Sequence, residues 1–266
     1  MLIILFTFFF SGTFSLKPLG RSYEISDTIN PGFGVEYCVI PKTGSTVTKE
    51  ILCEILRAYK GKPQRDPKRG HSINLTSECE KRGNYLFDLT TKWQRPLLET
   101  IKFTTVRDPV ERFVSIYGYI CPGYWCPPSI RNIHQFARWL YNAKRNENGM
   151  MARVQTKKTD YVLWHSAPQT SFCGIGSETV HIVHHSRDRG KMRGEMLRVL
   201  RKAHVPNNVA NKALRHLFSS TTVHASRSNA ERKKLLKAAR NPQTMVYIKA
   251  IYHRDFRFLK EHKLQD

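Results

Sequence analysis

Two short stretches of this sequence carry groups suited to holding anions. The first is Pro41-Lys42-Thr43-Gly44-Ser45-Thr46. Lys42 supplies a point charge, Ser45 and Thr46 supply hydroxyl donors, and Gly44 lets the main chain approach a bound group closely. This is phosphate-cradle chemistry without the Walker pattern, because no Gly-x-x-x-x-Gly-Lys-Ser/Thr run occurs. Taken alone, the segment reads equally as a plain helix start capped by Ser45 or Thr46. The second stretch runs from Val106-Arg107-Asp108-Pro109 through Arg112 and Ser115 to Tyr117. A guanidinium at Arg107 can hold a phosphate with two parallel N–H donors. Ser115 lies about 10 Å further along a helix and can serve the same phosphate. Taken alone, Arg107 reads equally as a structural ion-pair partner and Ser115 as a surface serine.

Both stretches gain force from the elements that must position them. Glu36 to Ile40 reads as a short buried strand, and Val47, Ile51, Leu52, Ile55, Leu56 and Tyr59 recur at helical spacing until Lys60-Gly61. The lysine loop therefore joins a strand to a helix, where unbonded N–H groups and the helix dipole favour an anion. Lys102 to Val106 is a second, β-branched strand. Asp108 suits the N-cap of the next helix, Pro109 its first position and Glu111 a capping box. Further helices are predicted over 131–145, near 190–203 and from Ser228-x-x-Glu231 to a stop at Asn241-Pro242, with a third strand at 179–183. Strands alternating with helices predict an α/β fold: one domain with a mainly parallel central sheet flanked by helices. Glu50 and Glu54 read as solvated residues of the first helix. Residues 17–34 are polar and Gly/Pro-punctuated and read as a stem or linker, with the domain over 35–262.

Composition narrows the partners and the compartment. Lys and Arg total 44 against 21 Asp and Glu, a formal charge of +23 spread along 266 residues, with 40% apolar residues. That apolar fraction supports a packed core and excludes a wholly disordered or low-complexity chain. The charge attracts polyanions. Residues 2–10 form an apolar run too short for an ordinary membrane span, which fits a signal peptide over 1–16 or a short signal anchor. Membrane contact is expected only through that segment, if it is uncleaved. A secretory route places the chain in the Golgi lumen or membrane, or outside the cell after cleavage, and sets nucleic acid aside. Asn74-Leu75-Thr76 is a glycosylation sequon, and six cysteines read as disulfides, with Cys121 and Cys126 the best local pair. Zinc is disfavoured because no Cys-x-x-Cys set occurs.

Together the two anion segments resemble those of the secretory carbohydrate sulfotransferases, of the chondroitin 4-O-sulfotransferase type and its nematode relatives. Further pieces follow in order: His165-Ser166-Ala167-Pro168-Gln169 with Cys173, then His184-His185-Ser186, His224-Ala225-Ser226, and Tyr252-His253-Arg254-Asp255-Phe256. The likeness spans about residues 35–260. It implies a P-loop nucleotide-kinase-like fold and 3′-phosphoadenosine 5′-phosphosulfate as the sulfate donor. By resemblance Lys42, Thr43, Gly44, Ser45 and Thr46 cradle the 5′-phosphosulfate, while Arg107 and Ser115 hold the 3′-phosphate. The implied acceptor is an acidic, chondroitin-like polysaccharide modified at the N-acetylgalactosamine 4-hydroxyl. No metal is required in principle, because Lys42 can neutralise charge on the leaving phosphate oxygen.

The accepting hydroxyl needs a general base. His71 is the one histidine between the two nucleotide motifs and has a suitable ordinary pKa. His165, His184, His185 and His224 are the other candidates. Two further readings stand beside the enzyme. A secreted glycosaminoglycan-binding protein without catalysis shares the charge but has no need of two anion loops at strand ends. An inactive nucleotide-binding relative is disfavoured by the presence of Lys42, Arg107 and Ser115. Arg187 and Arg189, among the basic residues of the second half, are expected to serve the polysaccharide rather than the donor.

Overall fold

In the computed structural model the described residues are 16–19, 25–65, 71–73, 99–123, 125–145, 157–176, 179–222 and 229–264. Among the described residues four strands make the central sheet: β1 (Thr28–Ile29), β2 (Val35–Cys38), β4 (Ile101–Val106) and β5 (Val180–His184), in the order β1-β2-β4-β5. β2, β4 and β5 run parallel, with Val35 opposite Ile101 and Val106 opposite His184. β1 lies antiparallel on the edge, Ile29 opposite Tyr37. This is the predicted α/β domain with its mainly parallel sheet.

A parallel sheet must be covered on both faces, and its strands carry apolar side chains accordingly. Tyr37 and Phe103 face each other across β2 and β4, ring centroids 5.0 Å apart, and both are fully buried. Helix α1 (Ser45–Tyr59) lays Val47, Ile51, Leu52, Ile55 and Leu56 against that side. It shares this core with Met192, Met196 and Leu200 of α5 (Arg189–Lys202) and with Ala210 and Ala213 of α6 (Asn207–Ala213). A second core gathers Phe113 and Ile116 of α2 (Pro109–Ile120), Phe136 and Leu140 of α3 (Ile133–Arg145), Leu236 of α8 (Asn229–Ala239) and Ile248 of α9 (Pro242–Ile251). The remaining α-helices among the described residues are α4 (Lys157–His165), the short α7 (His216–Ser219) and α10 (His253–Glu261). A separate pair, β3 (His71–Ile73) and β6 (Ser220–Thr222), runs parallel and touches α1.

Two sequence expectations need correcting, and a third, the helix stop at Asn241-Pro242, holds but is incomplete. Part of the 17–34 stem belongs to the domain: β1 extends the sheet, and Ile29 and Phe33 are buried. A two-residue strand shows no periodicity, so only its surroundings were legible. Asn241-Pro242 ends one helix but also opens α9, where the Asn241 side chain accepts from the Gln243 N–H at 3.0 Å. Glu50 and Glu54 are buried rather than solvated; Arg65 donates to Glu54 through Nε at 2.6 Å and to Glu50 through Nη2 at 2.9 Å. With His216 they form a compact cluster of potential metal ligands, but the cation already seated on its carboxylates is Arg65.

Disulfides join Cys121 to Cys126, as expected, and Cys38 to Cys173. Cys53 is disulfide-bonded as well. No helix among the described residues is long and apolar enough to cross a membrane. The apolar amino-terminal run, the Asn74 sequon and His224 lie outside the described residues.

Candidate functional site

Because β2, β4 and β5 are parallel and adjacent, their carboxyl ends lie side by side on one edge of the sheet. Open α/β sheets bind ligands at such an edge. Three loops leave it: 39–44 into α1, 107–108 into α2, and 185–188 into α5.

The first loop is held from beneath. The Thr43 hydroxyl donates to the Ile40 carbonyl at 2.9 Å and pairs at 2.9 Å with Thr105, which pairs with the Tyr37 hydroxyl. Thr43 is fully buried, so what it can give an anion is its main chain. Gly44 caps α1 with φ of 93° and no side chain closes that amino end. A Cβ on Gly44 would run into the imidazole of His185 from the third loop. Glycine is therefore required twice here, by conformation and by contact. Gly44→Ala is expected to cost about 1–2 kcal/mol of stability from the left-handed backbone alone. It is also expected to weaken nucleotide binding; thermal unfolding with and without 3′-phosphoadenosine 5′-phosphate checks both effects.

The second loop carries the strongest electrostatics. Arg107 is 9% exposed; its Nη1 donates to the Lys42 carbonyl at 3.3 Å and its Nη2 to Glu111 at 3.2 Å. Its Nε is buried and meets no partner. The Asp108 carboxylate accepts the Glu111 N–H at 2.8 Å, as the predicted N-cap. The Glu111 side chain, however, leaves the expected capping box to collect arginines. Arg187 Nε donates to it at 2.6 Å and Arg232 Nη2 at 2.8 Å, in addition to Arg107. Burial opposes ionisation of Glu111, but Arg107, Arg232 and Arg187 outweigh it and hold its carboxyl below the usual range. Arg189 stands near enough to act on Arg107 and His185. Arg187 and Arg189 thus belong to the Arg107 cluster, which corrects their expected place on a polysaccharide surface alone. Four arginines around one carboxylate leave an excess of positive charge that a phosphate can neutralise.

Burial, then repulsion from Arg107, lowers Lys42 to about 7. Its Nζ stands 3.2 Å from the ring centroid of Tyr119, whose face works the other way and favours the ammonium. Since the Lys42 carbonyl meets Arg107 at the start of α2 and its Nζ meets Tyr119 near the end, the side chain runs along α2. Glu111, Ser115 and Tyr119 are spaced four apart and share that helix face. Ser115 is half-buried between the arginine cluster and Tyr119. His185 is pushed well below its ordinary pKa by burial and then by Arg107 and Arg189, so it is neutral at pH 7.

The weaker sequence pieces turn out to brace this edge. The Gln169 side chain exchanges two hydrogen bonds with the Arg107 main chain, both at 2.8 Å. Gln169 and Thr170 N–H groups donate in turn to the buried Asp255 carboxylate at 2.9 and 3.0 Å. Arg112 is fully buried and donates to three carbonyls, Pro41 at 2.9 Å, Ala167 at 2.8 Å and His165 at 3.1 Å. His71 opens β3 opposite Ser220, on the small sheet beside α1. Arg232 and Tyr119 were missed by sequence reasoning, and no local motif marks either.

A glycine turn at a helix start, a buried arginine at the next strand end and a lysine along the adjacent helix thus meet on one edge of an α/β sheet, an arrangement suited to holding anions. The chain belongs to the sulfotransferase family, whose profile matches residues 28–260. Carbohydrate sulfotransferase chst-1 of Caenorhabditis elegans is 21% identical over 258 residues, covering 91% of this chain and 77% of its own length. No solved structure matches the chain.

Proposed function

We propose that the protein transfers a sulfuryl group from 3′-phosphoadenosine 5′-phosphosulfate to a glycan hydroxyl, on a chondroitin-type chain at the N-acetylgalactosamine 4-position. The observation that carries the reading is the pairing of two cationic places on one sheet edge. Lys42 with the uncapped start of α1 forms one, and Arg107 with Arg187, Arg189 and Arg232 around Glu111 forms the other. A nucleotide with anionic groups at both its 5′ and 3′ positions fits two such places. Sulfotransferase family membership supports the donor, and the carbohydrate sulfotransferase relative supports a glycan acceptor.

In the proposed reaction the acceptor oxygen attacks sulfur in line. A new S–O bond forms as the bond from sulfur to the bridging phosphate oxygen breaks, and the electron pair stays on that phosphate. Lys42 neutralises the charge that grows there; the main chain of residues 42–46 holds the phosphosulfate, and Arg107 with Ser115 holds the 3′-phosphate. The acceptor proton passes to a base, for which we propose His71. Exposed cations on α5 and α8, such as Lys191, Arg198, Lys233 and Lys237, supply a surface for an acidic polymer. The disulfides and the apolar amino-terminal run support a lumenal, Golgi location in the secretory pathway.

Transfer of radiolabelled sulfate from the donor to desulfated chondroitin, heparan and neutral oligosaccharides tests the reading. Equal rates on neutral and acidic acceptors would remove the polymer specificity. Donor binding without transfer to any acceptor would favour the inactive relative.

The lysine gives a pH dependence with a definite sign. In the free protein Lys42 loses its proton above about 7. Bound against phosphosulfate it is held protonated by the opposite charge. Donor binding above pH 7 therefore takes up a proton, and donor affinity falls as pH rises from 7 to 9. Calorimetry at pH 8 in buffers of different ionisation enthalpy should show the uptake; identical heats would separate Lys42 from the donor.

A further inference from the structure

At the far end of the α2 face, beyond Lys42, a group of aromatic rings stands at the margin of the second core, packed against it on one side. Tyr119 lies under Lys42 Nζ and its hydroxyl meets that of Tyr161 at 2.5 Å. Tyr161 stacks on Trp125 with centroids 4.4 Å apart and an interplanar angle of 30°. It also packs against His165 at 4.1 Å. Tyr119, Trp125 and Tyr161 all keep part of their surface in solvent.

Trp125 is held with unusual care for a half-exposed residue. It sits in the turn closed by the Cys121–Cys126 disulfide, directly after α2, and its N–H donates to the Ile120 carbonyl at 3.2 Å. A Cβ on Gly123 would stand 2.9 Å from its Cδ1, so the turn wraps the indole closely. Fixed, partly wet aromatic rings with polar tips are suited to ligands that are apolar on one side and hydroxylated on the other. A pyranose is such a ligand: its C–H bonds cover the ring faces and its hydroxyls point around the rim.

We propose that Tyr119, Tyr161 and Trp125 form the seat for the acceptor sugar itself, a pyranose stacked by its C–H face so that one rim hydroxyl is presented beside Lys42. The inference rests on the sulfotransferase reading and adds to it. Recognition at the reacting sugar is by ring stacking, while the cations elsewhere hold the polymer. The phenol pair of Tyr119 and Tyr161 offers hydrogen bonds to the remaining hydroxyls.

The test compares the wild-type full chain with Trp125→Ala and Trp125→Phe. Acceptor KM and kcat are measured on desulfated chondroitin, heparan and keratan oligosaccharides, and 3′-phosphoadenosine 5′-phosphate binding is measured by calorimetry. Trp125→Ala is expected to raise acceptor KM about tenfold or more, with nucleotide affinity within about twofold, and Trp125→Phe to recover most of the loss. Should Trp125→Ala not fold, Trp125→Phe carries the test through fluorescence. An oligosaccharide added to the nucleotide-bound wild type should shift the tryptophan emission, and the shift should shrink in Trp125→Phe. A folded Trp125→Ala with unchanged acceptor KM overturns the seat while leaving the sulfotransferase reading intact, as does an emission shift undiminished in Trp125→Phe. Equal loss of nucleotide binding in Trp125→Ala places the rings in the donor site and also overturns it. A wild type that neither binds the nucleotide nor sulfates any of the three probes overturns the functional reading and the seat with it.

Discussion

Lys42→Ala is expected to lower the rate of sulfuryl transfer by about 10² to 10³ while nucleotide affinity falls much less. The difference follows from where charge changes during the reaction. The phosphate bridging to sulfur gains charge as the S–O bond breaks, so a cation placed there is worth more in the transition state than in the ground state. Lys42 is suited to that work because it is mostly desolvated and already aligned along α2 by its contact with Tyr119. In the proposed reaction Arg107 faces a phosphate that does not react, and Arg107→Ala should therefore act on binding first. Single-turnover transfer from labelled donor, together with equilibrium nucleotide binding, separates the two. A Lys42→Ala protein that turns over at the wild-type rate would show the cradle to be misassigned.

The second large effect is on folding. Arg112→Ala is expected to remove on the order of 5 kcal/mol of stability, comparable to the whole margin of a typical domain. The fully buried guanidinium donates to the carbonyls of Pro41, Ala167 and His165, which lie on two separate segments. Truncation leaves three buried acceptors without that donor and opens a void beside Tyr252, over whose ring the guanidinium sits at 5.9 Å. Lysine cannot repair it, because one ammonium on a flexible stem does not reproduce a planar fork aimed at three oxygens. Little folded protein should be recovered from either variant. Denaturant unfolding within about 1 kcal/mol of wild type would sink this account.

The contrast between Arg107 and Arg112 shows how far the sequence could be read. Strand, turn and helix at 36–59 and at 102–117 were legible because each is a local pattern of apolar spacing, β-branching, Gly44, Asp108 and Pro109. The anion loops came with them. The use made of individual side chains was not legible, because it depends on partners far along the chain. Glu111 has the position of a capping-box residue, yet three arginines, one of them 121 residues away, draw it off. Glu50 and Glu54 look like an exposed acidic pair until Arg65 folds back onto them. Arg187 and Arg189 look like polymer-binding charge until parallel pairing of β4 with β5 brings their loop beside Arg107. Tyr119 carries no motif, and only the path of the Lys42 side chain gives it a role.

The brace behind Arg107 also sets a timetable for the growing chain. The strand end is fixed by Gln169, 62 residues later, and Gln169 is fixed by Asp255, another 86 residues on. Synthesis runs from the amino to the carboxyl end, so α10 emerges well after both anion motifs. A nascent chain still lacking α10 can form the lysine turn but lacks the Asp255 carboxylate that holds Gln169 from behind. On the proposed reading, nucleotide recognition should therefore arise only after α10 has been made, and any shortening that removes Asp255 should weaken it however intact the two anion motifs remain.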